Sequence, residues 1–202
     1  MRIIVTGATG TIGKPVADAL AERHEVVRVG HSSGDFRLDV ASRESIEQLY
    51  AAVGPFDALI AASGRSARFK PLEELTDEDF QFTLANKLMG QVNLVRIGLR
   101  HVRDGGSFTL TSGVLGLSPM VGSAAISLVN MGLEGFTRAA ALELQPRRIR
   151  VNVVSPPWVT ETLKELGWED VPGLPAADVA KAYVESVESN RNGEVLDARA
   201  FA

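Results

Sequence analysis

The chain starts with an apolar run, Arg2-Ile3-Ile4-Val5-Thr6, that passes directly into Gly7-Ala8-Thr9-Gly10-Thr11-Ile12-Gly13. From Ile12 to about Arg23 the residues follow a helical pattern. Strand, glycine-spaced turn and helix, in that order, are what a pyrophosphate requires. A turn without side chains lets the backbone approach the phosphates, and the helix N-terminus presents free N–H groups and a partial positive charge. Spacing alone says little in a chain with 19 glycines; the strand before and the helix after make it informative.

Short apolar runs then alternate with longer helical stretches. Strands are expected at Arg2–Thr6, Glu25–Gly30, Phe36–Leu38, Ala58–Ala62, Ser107–Thr111, Ile149–Val154 and Glu194–Ala198. Helices are expected at Ile12–Arg23, Arg43–Val53, Asp77–Val102, Ser123–Leu144 and Ala176–Glu188. Runs such as Ile3-Ile4-Val5 and Ala58-Leu59-Ile60-Ala61 are apolar at successive positions, which suits strands covered on both faces. Right-handed crossovers then give a three-layer, doubly wound (Rossmann-type) α/β fold, its mostly parallel sheet of about seven strands carrying a ligand crevice at the carboxyl ends. Thr76 with Asp79 forms a capping-box pattern at the start of the middle helix, and Gly105-Gly106 is expected to stop that helix. No repeat, linker or charge block interrupts the 202 residues, so one domain over 1–202 is expected.

Composition narrows the function. A formal charge of −4 argues against nucleic acid as a partner. The absence of cysteine removes disulfides, thiolate nucleophiles and cysteine metal sites, and no metal is expected. No apolar run approaches the ~18 residues of a membrane span, and no secretory signal is seen, so a cytoplasmic protein is expected.

Further anchors follow in order. Asp39-Val40 comes after the third strand, Ala61-Ala62-Ser63-Gly64 ends the fourth, Asn86 lies in the middle helix and Ser112 just past the fifth strand. Ile149-Arg150-Val151-Asn152-Val153-Val154-Ser155-Pro156 spans the sixth. Together with the first turn, these segments resemble the short-chain dehydrogenase/reductase superfamily over nearly the whole chain. The resemblance implies that Gly7, Thr9, Gly10, Thr11, Ile12 and Gly13 form the cofactor loop, and that Asp39 and Val40 meet the adenine. Ala61, Ala62 and Ser63 would line the fourth strand's end, with Pro156 and Val159 beyond the sixth. Ser112 and Asn86 become the catalytic candidates. Pro157 departs from the pattern, standing where a glycine normally follows.

A larger departure concerns the chemistry. The resemblance implies a tyrosine and, four residues later, a lysine on one face of the Ser123–Leu144 helix, the tyrosine protonating the substrate oxygen. Gly132-Leu133-Glu134-Gly135-Phe136-Thr137-Arg138 sets the register, and the two places fall on Ile126 and Asn130. The chain's two tyrosines, Tyr50 and Tyr183, lie on other helices and neither has a lysine four residues on. Ile126 offers an apolar wall, while Asn130 can still hydrogen-bond a ribose hydroxyl. Lys87 and Glu161 are conceivable substitute acids, although a solvated charge is the simpler reading of each.

The second strand ends Val29-Gly30-His31-Ser32-Ser33-Gly34, with no acid before Asp35. An NAD site usually has an acid here for the adenosine 2′-hydroxyl, whereas His31, Ser32 and Ser33 could receive a 2′-phosphate. NADP(H) is therefore expected ahead of NAD(H). Trp158 and Trp168 bracket the segment where the resemblance puts a substrate lid. Small residues in the Ser123–Leu144 helix, with the resemblance, imply a homodimer or homotetramer through that helix and the middle one. The expected function is an atypical NADP(H)-dependent oxidoreductase acting on a small carbonyl or related substrate; the alternative is a catalytically silent NADP(H)-binding sensor or scaffold.

Overall fold

The strand order in space reverses beside the first strand, and this reversal places the site. A computed structural model describes residues 1–63, 67–168 and 170–202, so the expectation placed on Gly64 lies outside the described residues. The strands are β1 (Arg2–Thr6), β2 (Glu25–Gly30), β3 (Phe36–Arg37), β4 (Phe56–Ala61), β5 (Val102–Thr111), β6 (Arg150–Ser155) and β7 (Val195–Asp197). They form one sheet in the order β3-β2-β1-β4-β5-β6-β7, and every pairing is parallel. The helices are α1 (Gly13–Ala21), α2 (Arg43–Val53), α3 (Asp77–Thr83), α4 (Gly90–Gly98), α5 (Ala124–Glu143), α6 (Thr160–Leu166) and α7 (Ala176–Glu188). This is the doubly wound arrangement expected, and its crevice falls where successive connections leave β1 and β4 in opposite directions.

Each sheet face has its own core. On one, Ile46 and Leu49 of α2, Leu94 of α4 and Leu133 of α5 close over Ile4, Leu59 and Phe108. On the other, Val16 and Leu20 of α1 and Val179 and Tyr183 of α7 cover Ile3, Val5 and Ile60. Successive apolar residues in β1 and β4 are therefore buried on alternating sides, which is why these strands show no polar face.

The middle helix departs from expectation in two ways. It stops at Gly98, and Gly105-Gly106 lies inside β5 rather than ending a helix. Val102, which reads as the helix's last apolar residue, pairs with Phe56, and the next pairing is Ala58 with Ser107, so residues 103–106 bulge from the ladder. Arg103 holds that bulge to Asp57 through an ion pair of 2.9 Å. The helix is also broken internally: α3 opens with the expected capping box at Thr76 and Asp79, then gives way to a wide π turn over Leu84–Met89. There the Gly90 N–H reaches the Ala85 carbonyl, five residues back. A short helix, α6, occupies the stretch after β6 where none is expected from the sequence.

Candidate functional site

A cleft of about 680 Å³ opens at the carboxyl ends of β1, β2, β4, β5 and β6. The first turn forms one wall. Gly7 holds a left-handed backbone (φ 73°), and a Cβ on Gly13 would overlap the Gly7 carbonyl, so these two glycines fold the turn upon itself. Gly10 is different: a Cβ there would meet only the Gly7 carbonyl oxygen at 3.3 Å, and the residue lines the cleft. That contact is tight but far milder than the overlap at Gly13, and the bare backbone facing the cleft suits a ligand's phosphates. Thr9, Thr11 and Ile12 line the same wall, and the N-terminus of α1 has no side-chain cap of its own.

His31, Asp39 and Val40 line the end of the cleft near β2 and β3, and Ala62 and Ser63 line its middle. Ser32 and Ser33 are exposed in the turn after β2, and the Ser32 carbonyl accepts from Arg37. Arg37 is a cation at this turn that the sequence reading missed. Asp35 turns back to accept from the Arg28 N–H at 2.8 Å, so its carboxylate is engaged with β2. Asp39 accepts from the Ala41 N–H at 3.0 Å, and Ser42 rather than Asp39 caps α2. Gly13 and Ala61 stand behind the wall: both are buried, and the Ala61 carbonyl accepts from Thr111 Oγ1 at 2.6 Å.

At the deep end the polar side chains are arranged differently from expectation. Asn86 lines the cleft, but its amide donates to its own helix, to the Phe82 carbonyl at 2.9 Å. The acceptors for the Ser112 hydroxyl are Glu134 Oε1 at 3.4 Å and the Val154 carbonyl at 3.5 Å, which lie on α5 and β6. Lys87 also lines the cleft and is only 7 % exposed; its Nζ donates to the Ser112 carbonyl at 3.2 Å. It is not a solvated helix charge. Burial disfavours its ammonium and brings its pKa down to about 8. The residues of its stripe point to this burial: Thr83, Lys87 and Gln91 follow one another at four-residue spacing, in line with Leu94 and Val95. Read on that face, Lys87 is a buried cation.

Gln91 holds this region together. Fully buried, its Nε2 donates to the Lys87 carbonyl at 3.1 Å and the Thr111 carbonyl at 3.0 Å, while its Oε1 accepts from the Thr111 N–H at 2.8 Å. Thr111 lies beyond the last β4–β5 pair, Ile60 with Thr109, so the carboxamide takes the place of a strand neighbour. Gly90 lets the helix pass close to Val40, whose Cγ2 would stand 2.6 Å from an added Cβ.

Asn130 and Ile126, from α5, complete the deep wall. Asn130 Nδ2 donates to the Gly113 carbonyl at 3.0 Å, and its Oδ1 is buried without a partner among the described residues. A free acceptor in a cleft wall suits a ligand hydroxyl. Pro156, Pro157, Trp158, Val159 and Thr162 form the remaining side. Trp158 packs edge-on against Trp168 at 5.6 Å, and Trp168 against Phe69 at 6.0 Å, so the aromatic pair ties the α6 segment to the body. Glu161 is no acid candidate in this geometry: its carboxylate accepts from the Ala176 N–H at 3.0 and 3.2 Å and holds the start of α7.

Fold and cleft define a doubly wound α/β protein whose ligand crevice lies at its strand-order reversal. Comparison with known proteins narrows this further. The family described as enoyl-(acyl carrier protein) reductase matches residues 2–198, and the chain belongs to it, within the short-chain dehydrogenase/reductase superfamily. The 3-oxoacyl-[acyl-carrier-protein] reductase of Mus musculus is 30% identical over 185 residues, covering 80% of this chain and 78% of that protein. The crystal structure of the protein lin1944 from Listeria innocua superposes with a TM-score of 0.93 at 40% identity, covering 98% of both chains. A small-chain dehydrogenase in complex with NADPH superposes with a TM-score of 0.87 at 26% identity, covering 98% of this chain and 95% of that one.

Proposed function

We propose that the protein is an NADP(H)-dependent oxidoreductase that reduces a small carbonyl compound with a proton donor other than the superfamily's usual tyrosine. The observation that carries this reading is the continuous cleft from the bare backbone of Gly10 to the Oδ1 of Asn130, which has no partner among the described residues. In this reading Gly7, Thr9, Gly10, Thr11 and Ile12 hold the diphosphate, with Gly13 behind them closing the turn, and Asp39, Val40, Ala62 and Ser63 flank the adenosine, with Ala61 behind them. Asn130, Pro156 and Val159 border the nicotinamide, which when bound supplies a hydride to the substrate. Ser112 and Asn86 stand beside the reacting end; their described bonds favour positioning roles.

Preference for the phosphorylated cofactor draws on three features: His31 with Ser32 and Ser33 at the end of β2, the nearby Arg37, and the engagement of Asp35 with β2. The NADPH-bound small-chain dehydrogenase supports the same choice. Ile126, Leu115, Val114, Phe82 and Trp158 make the substrate end apolar, which favours an aromatic or alkyl carbonyl. The test is a fluorescence titration with NADPH and NADH, followed by NADPH oxidation with 4-nitrobenzaldehyde and phenanthrenequinone. Tighter NADPH binding by tenfold or more, with turnover of either probe, supports the reading. Binding without turnover favours a silent cofactor sensor, and no binding at millimolar cofactor overturns both.

Self-association belongs to the same proposal: Met89 beside α4 and Leu128 and Met131 on α5 are 40–51 % exposed. Gly132 is occupied by packing against Leu88 of its own chain, but Gly135 has open space around it. Sedimentation should find a dimer or tetramer, and a monomer at micromolar concentration would refute that part.

A further inference from the structure

Resting on the reductase reading above, we infer that Lys87 is the proton donor of this cleft, passing a proton from Nζ to the substrate oxygen in the role the superfamily gives to tyrosine. Among the described lining residues, the side chains ionisable in the ordinary pH range are His31, Asp39 and Lys87. His31 and Asp39 belong to the β2–β3 end, with β1 and β4 between them and β5. Lys87 belongs to the deep end with Asn130, Ile126 and Ser112.

Other donors are committed elsewhere. Tyr50 donates its hydroxyl to the Leu94 carbonyl at 2.6 Å, and Tyr183 shares a hydrogen bond of 2.7 Å with Thr111 Oγ1; both rings are buried in the core. The Ser112 hydroxyl has only long contacts, 3.4 and 3.5 Å, to acceptors on α5 and β6, and an unassisted hydroxyl is a poor acid near neutral pH. Asn86 and Asn130 are amides and cannot serve as acids.

The amine is also held in place. Lys87 lies buried within the wide turn over Leu84–Met89, where Gln91 binds its carbonyl and the Ser112 carbonyl takes one of its three N–H donors. Such turns recur at functional sites. Few charges stand around it. Glu134, on α5, meets the Ser112 hydroxyl and pairs with Arg138 at 3.6 Å, and no carboxylate is described against Nζ itself. Desolvation therefore brings the ammonium towards neutral pH, where an acid can be protonated and still release its proton.

The step balances as follows. The carbonyl carbon receives a hydride, with its two electrons, from the reduced nicotinamide; the C=O π bond opens and its oxygen takes the proton from Nζ. The neutral amine regains a proton from solvent, so one hydride and one proton reach the substrate while the nicotinamide is oxidised. A merely structural lysine would pin the strand end through the Ser112 carbonyl and do nothing else.

Lys87→Arg separates the two roles: it keeps a cationic donor for the Ser112 carbonyl, but its guanidinium holds its proton too tightly to act as an acid. With NADPH and 4-nitrobenzaldehyde or phenanthrenequinone, Lys87→Arg and Lys87→Met should both lose about 10²–10⁴-fold in kcat. NADPH affinity by fluorescence should stay within about threefold of the parent in the arginine variant, a range worth about 0.65 kcal/mol. An NMR titration of the Lys87 ammonium in cofactor-free protein should find a midpoint well below that of an ordinary lysine. Parental turnover in Lys87→Arg, or a titration at the ordinary lysine value, overturns the inference and leaves the reductase reading standing. A parent protein that binds NADPH and turns over neither probe refutes that reading, and the inference falls with it.

Discussion

Replacing Gln91 by leucine tests the framework beneath the site. The carboxamide bonds both the N–H and the carbonyl of Thr111, at 2.8 and 3.0 Å, and the carbonyl of Lys87 at 3.1 Å, in a place with no solvent exposure. Leucine nearly fills the volume but leaves the two Thr111 groups unpaired, since β4 has ended before it can supply partners. An unsatisfied buried backbone group costs about 1–3 kcal/mol, so the pair should cost about 3 kcal/mol after allowing for leucine's better burial. For a chain of this size that is a fall in Tm of roughly 6–12 °C. Urea unfolding followed by circular dichroism measures the free energy, and a thermal scan gives Tm. A loss below about 0.5 kcal/mol would refute the reasoning, because it would mean that Thr111 has other partners and that Gln91 is not its strand substitute.

Other outcomes follow from the same geometry. Gly10→Ala should change Tm far less than Gly13→Ala and weaken NADPH binding at least tenfold in a fluorescence titration, whereas Gly13→Ala, which drives a Cβ into the Gly7 carbonyl, should lower Tm strongly. The Lys87 pKa falls from the ordinary 10.5 to about 8, so between these values the unfolded chain binds the extra proton and stability should rise with pH. Urea titrations of parent and Lys87→Met from pH 7 to 10.5 should diverge by up to about 3 kcal/mol in the parent's favour, and parallel curves would contradict the burial argument. Glu161→Ala should cost about 1 kcal/mol in urea unfolding by freeing the first N–H of α7, and an unchanged midpoint would show that the cap is dispensable.

Much of this fold can be read from the chain because its signals are local and agree with one another. Unbroken apolar runs in β1 and β4, the Thr76 capping box and the glycine turn each have a physical cause within a few residues. The breaks in reading occur where a distant partner decides. Val102 continues a helical period, yet Phe56 draws it into the sheet. The turn at Leu84–Met89 leads into Gly90, which passes close to the distant Val40, and nothing in the local sequence marks the π bond. The same dependence governs the candidate site. Segment order brings Asn86, Ser112 and Asn130 to one cleft, but hydrogen-bond partners on other elements decide which polar atoms remain available. Lys87 is legible as a conceivable acid but its burial is not, and Arg37 is not legible at all, because a long cationic side chain next to polar neighbours reads as surface until the buried stripe, or the turn opposite, is traced.

The extra residue accommodated between Ala85 and Gly90 has a consequence of its own. Each residue advances a helix by about 100°, so shortening this stretch by one position downstream of Lys87 would rotate everything before it by that angle. Asn86 would then swing to where the amine now stands. An amide and an ammonium would be exchanged at one point of the crevice by a change in chain length alone, with no side chain rewritten.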